Sequence, residues 1–275
     1  MSGRHPKPPV APGPESRTRP GFPARLDMVL GPTPAPRSEA ARPVKAPVVG
    51  LSGGPPRPAG LGLDSSAVRQ AMVRKLAAQG LSHSRVLAAL GQVERHRFVD
   101  TALATQAYED TSLPIGLGQT ISKPSVVGRM LSLLCERPGE GPGRVLEIGT
   151  GCGYQAALLS QLAREVYSIE RLRGLHDKAR ENLRPMRLPN LHLLLGDGMV
   201  GYPRGAPYDG IVSAAGGESI PAAWLEQLAV GGRLVAPAEL APGRQSLVVV
   251  DRTVQGYTRT VLEAVHFVPL KSGVA

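Results

Sequence analysis

Val145-Leu146-Glu147-Ile148-Gly149-Thr150-Gly151-Cys152-Gly153 reads as a short apolar strand running into a glycine-rich turn, and a helix over 154–162 follows at once. Outward from this stretch the chain alternates. A strand over 166–170 precedes a helix over 172–183. A strand over 191–195 ends at Gly196-Asp197-Gly198, and a strand over 208–213 leads to a helix over 221–228. A strand over 233–236 follows the turn Gly231-Gly232. Such alternation builds a parallel sheet with helices on both faces. The last two strands, 246–251 and 261–268, read as antiparallel. The expected fold is therefore α/β: a doubly wound, Rossmann-like sheet, mostly parallel, with antiparallel C-terminal strands.

Upstream, the order is less regular. Asp64 is the expected N-cap of a helix over 65–79 that ends at Gly80, with Val68, Met72 and Leu76 at helical spacing. A second helix spans 82–93 and a third 125–135. Between them, 95–125 lacks clean periodicity and carries Gly116 and Gly118 in the run LPIGLGQTIS. A loop this long within a compact domain is usually functional or disordered. Residues 1–62 hold fifteen of the 27 prolines. They read as a disordered extension before a single domain over 63–275.

Composition narrows the function. The net charge of +10 is unevenly spread: the first 62 residues hold nine Lys/Arg against three Asp/Glu, so most of the excess sits in the extension. No basic face of the domain is implied, and no specific nucleic-acid partner is expected. No apolar run reaches the ~20 residues of a membrane helix. Cys135 and Cys152 make no disulfide framework, which suits a reducing, cytoplasmic setting. The six histidines show no metal-ligand spacing, and His96 reads as a surface residue.

The ligand follows from the glycine loop and its acids. Gly149, Gly151 and Gly153 let a ligand approach the backbone without a Cβ in the way. Glu170 falls twenty-one residues after Gly149, where an acid accepts hydrogen bonds from both ribose hydroxyls. The spacing is G-x-G-x-G, not the G-x-G-x-x-G of dinucleotide sites, and Glu147 stands two residues before the first glycine. An acid there suits the α-ammonium group of S-adenosylmethionine and repels a pyrophosphate. Asp197 with Gly198 ends the third strand on the same edge, placed to accept from an adenine amino group.

LEIGTGCGYQAALLSQL, VYSIERL, GDGMVGYP and YDGIVSAAGGESIPAAWLEQLAVGGRLVAP resemble the successive motifs of protein-L-isoaspartate O-methyltransferases, and YEDTSLPIGLGQTISKP is the more specific match. The resemblance covers about residues 65–270. It implies S-adenosylmethionine as cofactor, isoaspartyl-containing proteins as substrates, and a monomer without membrane attachment. It places Ser122 at the active site, with Thr120 and Ile121 lining the cofactor and peptide cleft. It carries the cofactor motifs onto Gly149, Gly151, Glu170, Asp197 and Gly198. Two departures stand out: Gly216 where many relatives have proline, and Lys271 where some have threonine.

A carboxylate acceptor is ionised at neutral pH, with a pKa near ~4, so no general base is required. Ser122 can then orient it with one hydrogen bond, 95–125 can act as a lid that excludes water, and the edge at 265–268 can pair with a peptide backbone. The alternative reading of Ser122 is an N-cap of the following helix. The rival functions are a nicotinamide-dependent oxidoreductase, a nucleic-acid methyltransferase and a non-catalytic module.

Overall fold

The computed structural model describes residues 66–136 and 141–275. The extension at 1–62 and the Asp64 cap lie outside the described residues. The chain opens with α1 (Ser66–Ala78) and α2 (Ser84–Gln92), then a hairpin of β1 (Leu113–Gly116) and β2 (Gln119–Ile121), then α3 (Pro124–Cys135). The alternating part runs β3 (Arg144–Ile148), α4 (Tyr154–Leu162), β4 (Glu165–Glu170), α5 (Arg173–Leu183) and β5 (Leu191–Leu195). It continues with β6 (Tyr208–Ser213), α6 (Ala222–Gln227), β7 (Leu228–Ala241), β8 (Arg244–Thr253) and β9 (Gly256–Val265).

The seven-stranded sheet has the order β5-β4-β3-β6-β7-β8-β9. Strands β3 to β7 pair in parallel, and β7, β8 and β9 pair antiparallel. The order reverses at β3, because the chain winds outward to β4 and β5, then returns to β6 on β3's other side. The carboxyl ends of β3 and β6 therefore flank the crevice where doubly wound sheets bind ligands.

Helices cover both faces, so the inner strands are apolar in successive residues. The period of two sorts them. Val145 of β3 joins the core under α4, whereas Leu146 and Ile148 join the core on the opposite face, with Trp224 of α6. Burying a side chain of this size stabilises by about 1.5–3 kcal/mol.

The expected sheet is present, with three local differences. The aperiodic 95–125 segment is not one open loop. It contains two 3-10 turns, Arg95–Phe98 and Thr101–Gln106, and the β1–β2 hairpin. Strand β7 begins five residues earlier than expected, because Leu228 already pairs with Tyr208; Gly231, at φ +77°, sits in a bulge within the strand instead of a turn before it. The last strand spans Gly256–Val265, not 261–268. Beyond it the Gln245 side chain takes over the pairing, its Oε1 accepting from the Phe267 N–H at 2.8 Å.

Candidate active site

Strand β3 delivers Gly149 to the switch point, and the turn after it requires glycine. Gly149, Gly151 and Gly153 have φ of +87°, +57° and +94°, a region that side chains disfavour. At Gly153 space is also closed, since an added Cβ would lie 2.7 Å from Leu183 Cδ1.

The end of β4 clamps this loop. Glu170, 5% exposed, accepts the Gly151 N–H on Oε2 at 2.8 Å and the Leu172 N–H on Oε1 at 2.9 Å. One carboxylate thus joins the glycine loop to the start of α5. Each oxygen keeps lone-pair capacity for a second donor. Glu170 opens onto a cavity of about 290 Å³ lined also by Gly149, Gly151, Gly198, Ala214 and Leu270. Gly198 comes so close to β3 that a Cβ would meet Ile148 Cγ2 at 2.6 Å.

The hairpin forms the far wall. Ile115, Leu117 and Thr120 line the same cavity, and Lys178 of α5 holds the hairpin by donating to the Ile115 carbonyl at 2.9 Å. Thr120 also lines a second cleft of about 660 Å³, which takes in Ser122, Lys123, Asp110, His266 and Phe267. The cavity and the cleft share Thr120, Ala214 and Val268.

Ser122 does not cap α3. The N-cap is Lys123 without a side-chain bond, and Asp110 Oδ1 accepts the Ser125 N–H at 2.8 Å in its place. Ser122 lines the cleft, and its hydroxyl has no hydrogen-bond partner among the described residues.

The structure therefore gathers Thr120, Gly149, Gly151, Glu170 and Gly198 around the cavity and puts Ser122 in the adjoining cleft. Asp197 does not line the cavity: its Oδ1 accepts from the Met199 N–H at 2.8 Å, its Oδ2 from the Gly273 N–H at 2.6 Å, and it borders a separate pocket with Leu195 and Tyr202. Three other expected site residues line neither cavity. Ile121 is buried at 5% exposure, and Gly153 packs on Leu183. Glu147 points, like Val145, to the α4 face, fully buried. Its Oε2 accepts the Ser168 hydroxyl at 2.5 Å, Ser168 in turn meets the Thr150 hydroxyl at 2.6 Å, and Oε1 has no partner among the described residues. Burial pushes the Glu147 carboxyl up to about 8 against the pull of the Ser168 hydrogen bond. His96 is half-buried, its Nδ1 2.7 Å from the Tyr108 hydroxyl.

Sequence reasoning missed Ala214 and Lys178. Ala214 follows the end of β6, so the switch-point rule could have found it. Val268 is held by Gly216, whose N–H donates to the Val268 carbonyl at 2.9 Å while its own carbonyl accepts the Leu270 N–H at 2.8 Å. A proline at position 216 would lack that donor, so Gly216 helps to fix the C-terminal wall, which includes Lys271.

A glycine turn and an acid-ended second strand, set at the switch point of a seven-stranded doubly wound sheet, define the class I methyltransferase architecture. Residues 67–275 match the family model of protein-L-isoaspartate(D-aspartate) O-methyltransferase. The chain belongs to that family. It is 58% identical to the protein-L-isoaspartate O-methyltransferase of Methylibium petroleiphilum over 266 residues, covering 94% of this chain and 97% of that one. It is 54% identical to that of Leptothrix cholodnii over 280 residues, covering 99% and 95%. A solved protein-L-isoaspartate O-methyltransferase superposes with a TM-score of 0.67 at 27% identity, over 75% of this chain and 67% of that one. The Plasmodium falciparum structure, in complex with S-adenosyl-L-homocysteine, gives 0.65 at 22% identity, over 74% and 98%, and shows the shared fold.

Proposed function

We propose that the chain transfers a methyl group from S-adenosylmethionine to the free α-carboxylate of L-isoaspartyl residues in damaged proteins. One observation carries the reading: a cavity floored by the glycine loop and Glu170 adjoins a peptide-sized cleft containing Ser122, and the two share Thr120, Ala214 and Val268.

The residues present fit the cofactor. Glu170 has acceptor capacity left for a sugar diol, Gly149 and Gly151 line the cavity without a side chain, and Gly198 lets the backbone of that wall pack on Ile148. Asp197, next in sequence to the lining residue Gly198, is the acceptor for the adenine amino group, with the lone pairs its two backbone hydrogen bonds leave. Glu147 and Gly153 support the loop from beneath, and Ile121 anchors the hairpin. When bound, S-adenosylmethionine supplies an electrophilic methyl on a sulfonium, which the carboxylate oxygen attacks as the thioether leaves.

This chain's residues bind, aim and keep water out. Ser122 donates to one oxygen of the substrate carboxylate and leaves the other free to attack; a neutral hydroxyl orients the anion without pairing with its charge. The hairpin covers the seam between cavity and cleft. No residue needs to take a proton, since the acceptor is already ionised. Positioning of this kind supplies up to ~7–11 kcal/mol of the barrier. Backbone groups at 264–268, along one side of the cleft, suit a substrate recognised by its main chain.

The free thiols of Cys135 and Cys152, both buried, favour a reducing, cytoplasmic setting. Among the described residues no helix is long and apolar enough to cross a membrane. The test is methyl transfer to a peptide containing L-isoaspartate beside its aspartyl twin. Selective, base-labile labelling of the first is expected. Equal labelling of both, or none, rejects the function.

A further inference from the structure

Arg95 is fully buried and faces no carboxylate within salt-bridge distance among the described residues. An uncompensated charge in a protein interior is costly, and burial holds its guanidinium below the ordinary arginine value. Something must depend on it.

Its contacts show what. Nε donates to the Ala107 carbonyl at 2.8 Å, and one Nη donates to the Ser122 carbonyl at 2.8 Å and, at a longer 3.5 Å, to that of Thr111. The guanidinium also lies over the Tyr154 ring, 4.9 Å from its centroid, at the first turn of α4 behind the glycine loop. Asp110, Thr111 and Ser112 form one wall of the 660 Å³ cleft, and Ser122 and Lys123 another. These walls continue the two open ends of the β1–β2 hairpin, beyond its last pair, Leu113 with Ile121, where strand pairing no longer holds them together. The Arg95 guanidinium, with the Asp110–Ser125 hydrogen bond, joins them.

We propose that Arg95 is a positioning residue for methyl transfer, stapling the two walls of the substrate cleft and setting the place of Ser122. It lines neither the cavity nor the cleft. The proposal rests on Ser122 being the group that orients the carboxylate. Arginine is required because its planar fork reaches carbonyls on both segments at once, which a lysine ammonium on a single stem does not reproduce.

The test uses the full chain carrying Arg95→Lys and, separately, Arg95→Met, with three readouts. Turnover of an isoaspartyl peptide should fall about 100-fold in both, the loss expected of a misplacement near 1 Å. Affinity for S-adenosylhomocysteine, by calorimetry, should stay within about twofold, because the Glu170 clamp does not pass through Arg95; a general loss of structure would move it too. Amide hydrogen exchange across 107–123 should quicken in both variants while the strands of the sheet stay protected. Turnover near wild type in either variant overturns the proposal. So does a loss of cofactor affinity in step with turnover. Variants that do not fold overturn it as well, since the guanidinium would then hold the core and not the cleft. If the wild-type chain labels no isoaspartyl peptide, the proposed function fails, whereas the staple is still judged by hydrogen exchange, which needs no turnover.

Discussion

Replacing Glu170 by glutamine tests the cofactor site at its most connected group. The two carboxylate oxygens accept backbone N–H groups from opposite directions, Gly151 at 2.8 Å and Leu172 at 2.9 Å. An amide has one oxygen. Whichever way it is set, its NH2 faces one of those two N–H donors, and a buried donor is left unpaired. That costs about 1–3 kcal/mol of folding stability. The same change removes the charge from the hydrogen bonds offered to the ribose hydroxyls. Bonds to a charged group contribute about 1.5–3 kcal/mol and neutral ones about 1, so binding should weaken by about 1–2 kcal/mol, or roughly 5- to 30-fold in Kd. Glu170→Asp keeps the charge but is shorter by one methylene and cannot reach both amides; its cofactor affinity should also fall. Urea unfolding and calorimetric titration with S-adenosylhomocysteine separate the two effects. Unchanged affinity in Glu170→Gln would refute the assignment of Glu170 to the ribose, and unchanged stability would refute the clamp.

Ser122→Ala should lower kcat on an isoaspartyl peptide by about 10- to 100-fold, as for loss of one hydrogen bond to a charged group, while S-adenosylhomocysteine affinity is kept; unchanged turnover would retire Ser122. The Glu147 carboxyl, pushed up to about 8, keeps its proton in the folded chain at pH values where the unfolded chain has lost it. Stability from this group is therefore greatest below the ordinary carboxyl range and falls by up to about 1.4 kcal/mol per pH unit as pH rises towards 8. Glu147→Gln should flatten that slope in urea melts between pH 5 and 8, and identical slopes would show that the carboxyl is ionised throughout. Gly153→Ala combines a φ of +94° with a Cβ 2.7 Å from Leu183 Cδ1 and should destabilise by about 2–4 kcal/mol. At Gly118, where φ is +70° and a Cβ meets nothing within 4 Å, the same change should cost only about 1 kcal/mol; equal melting temperatures for the two variants would contradict the packing argument.

The parallel half of the fold was legible because helical and strand periods alternate there without interruption. The ends of α4, β5 and β6 fall where the pattern places them. Glu170 was legible for the same reason: an acid at the end of the second strand can only project from the sheet's edge. Glu147 lies one strand residue before that edge, so its side chain must choose a face. It takes the α4 face with Val145, and proximity in sequence to the glycine loop becomes burial beneath it. The hairpin was illegible because β1 and β2 are four and three residues long, too short for a period of two to show, and its Gly116-Leu117-Gly118 turn is punctuated like any loop. Arg95 carried no signal. Its acceptors are backbone carbonyls as far as 27 residues away, and a carbonyl looks the same behind every side chain.

Two fastening systems follow from these positions. The cofactor cavity is fixed by Glu170, which joins the glycine loop to α5 across the edge of the sheet. The substrate cleft is fixed by Arg95 and Asp110, which join segments upstream of the sheet. The two meet through the hairpin, held to α5 by Lys178 and to the Arg95 staple by Ser122 at its base. A methyl must cross from one compartment to the other, so their relative placement sets the attack distance, and the hairpin is the part that carries it. This explains why the long segment before the sheet is tied at so many points. A freely opening lid would exclude water only while closed and would leave the distance from sulfonium to carboxylate undefined. A hairpin anchored at both ends keeps that distance fixed while admitting a peptide from the side. If, as proposed, the cleft reads the main chain of its substrate, tolerance of many protein substrates requires no movement of the reacting groups.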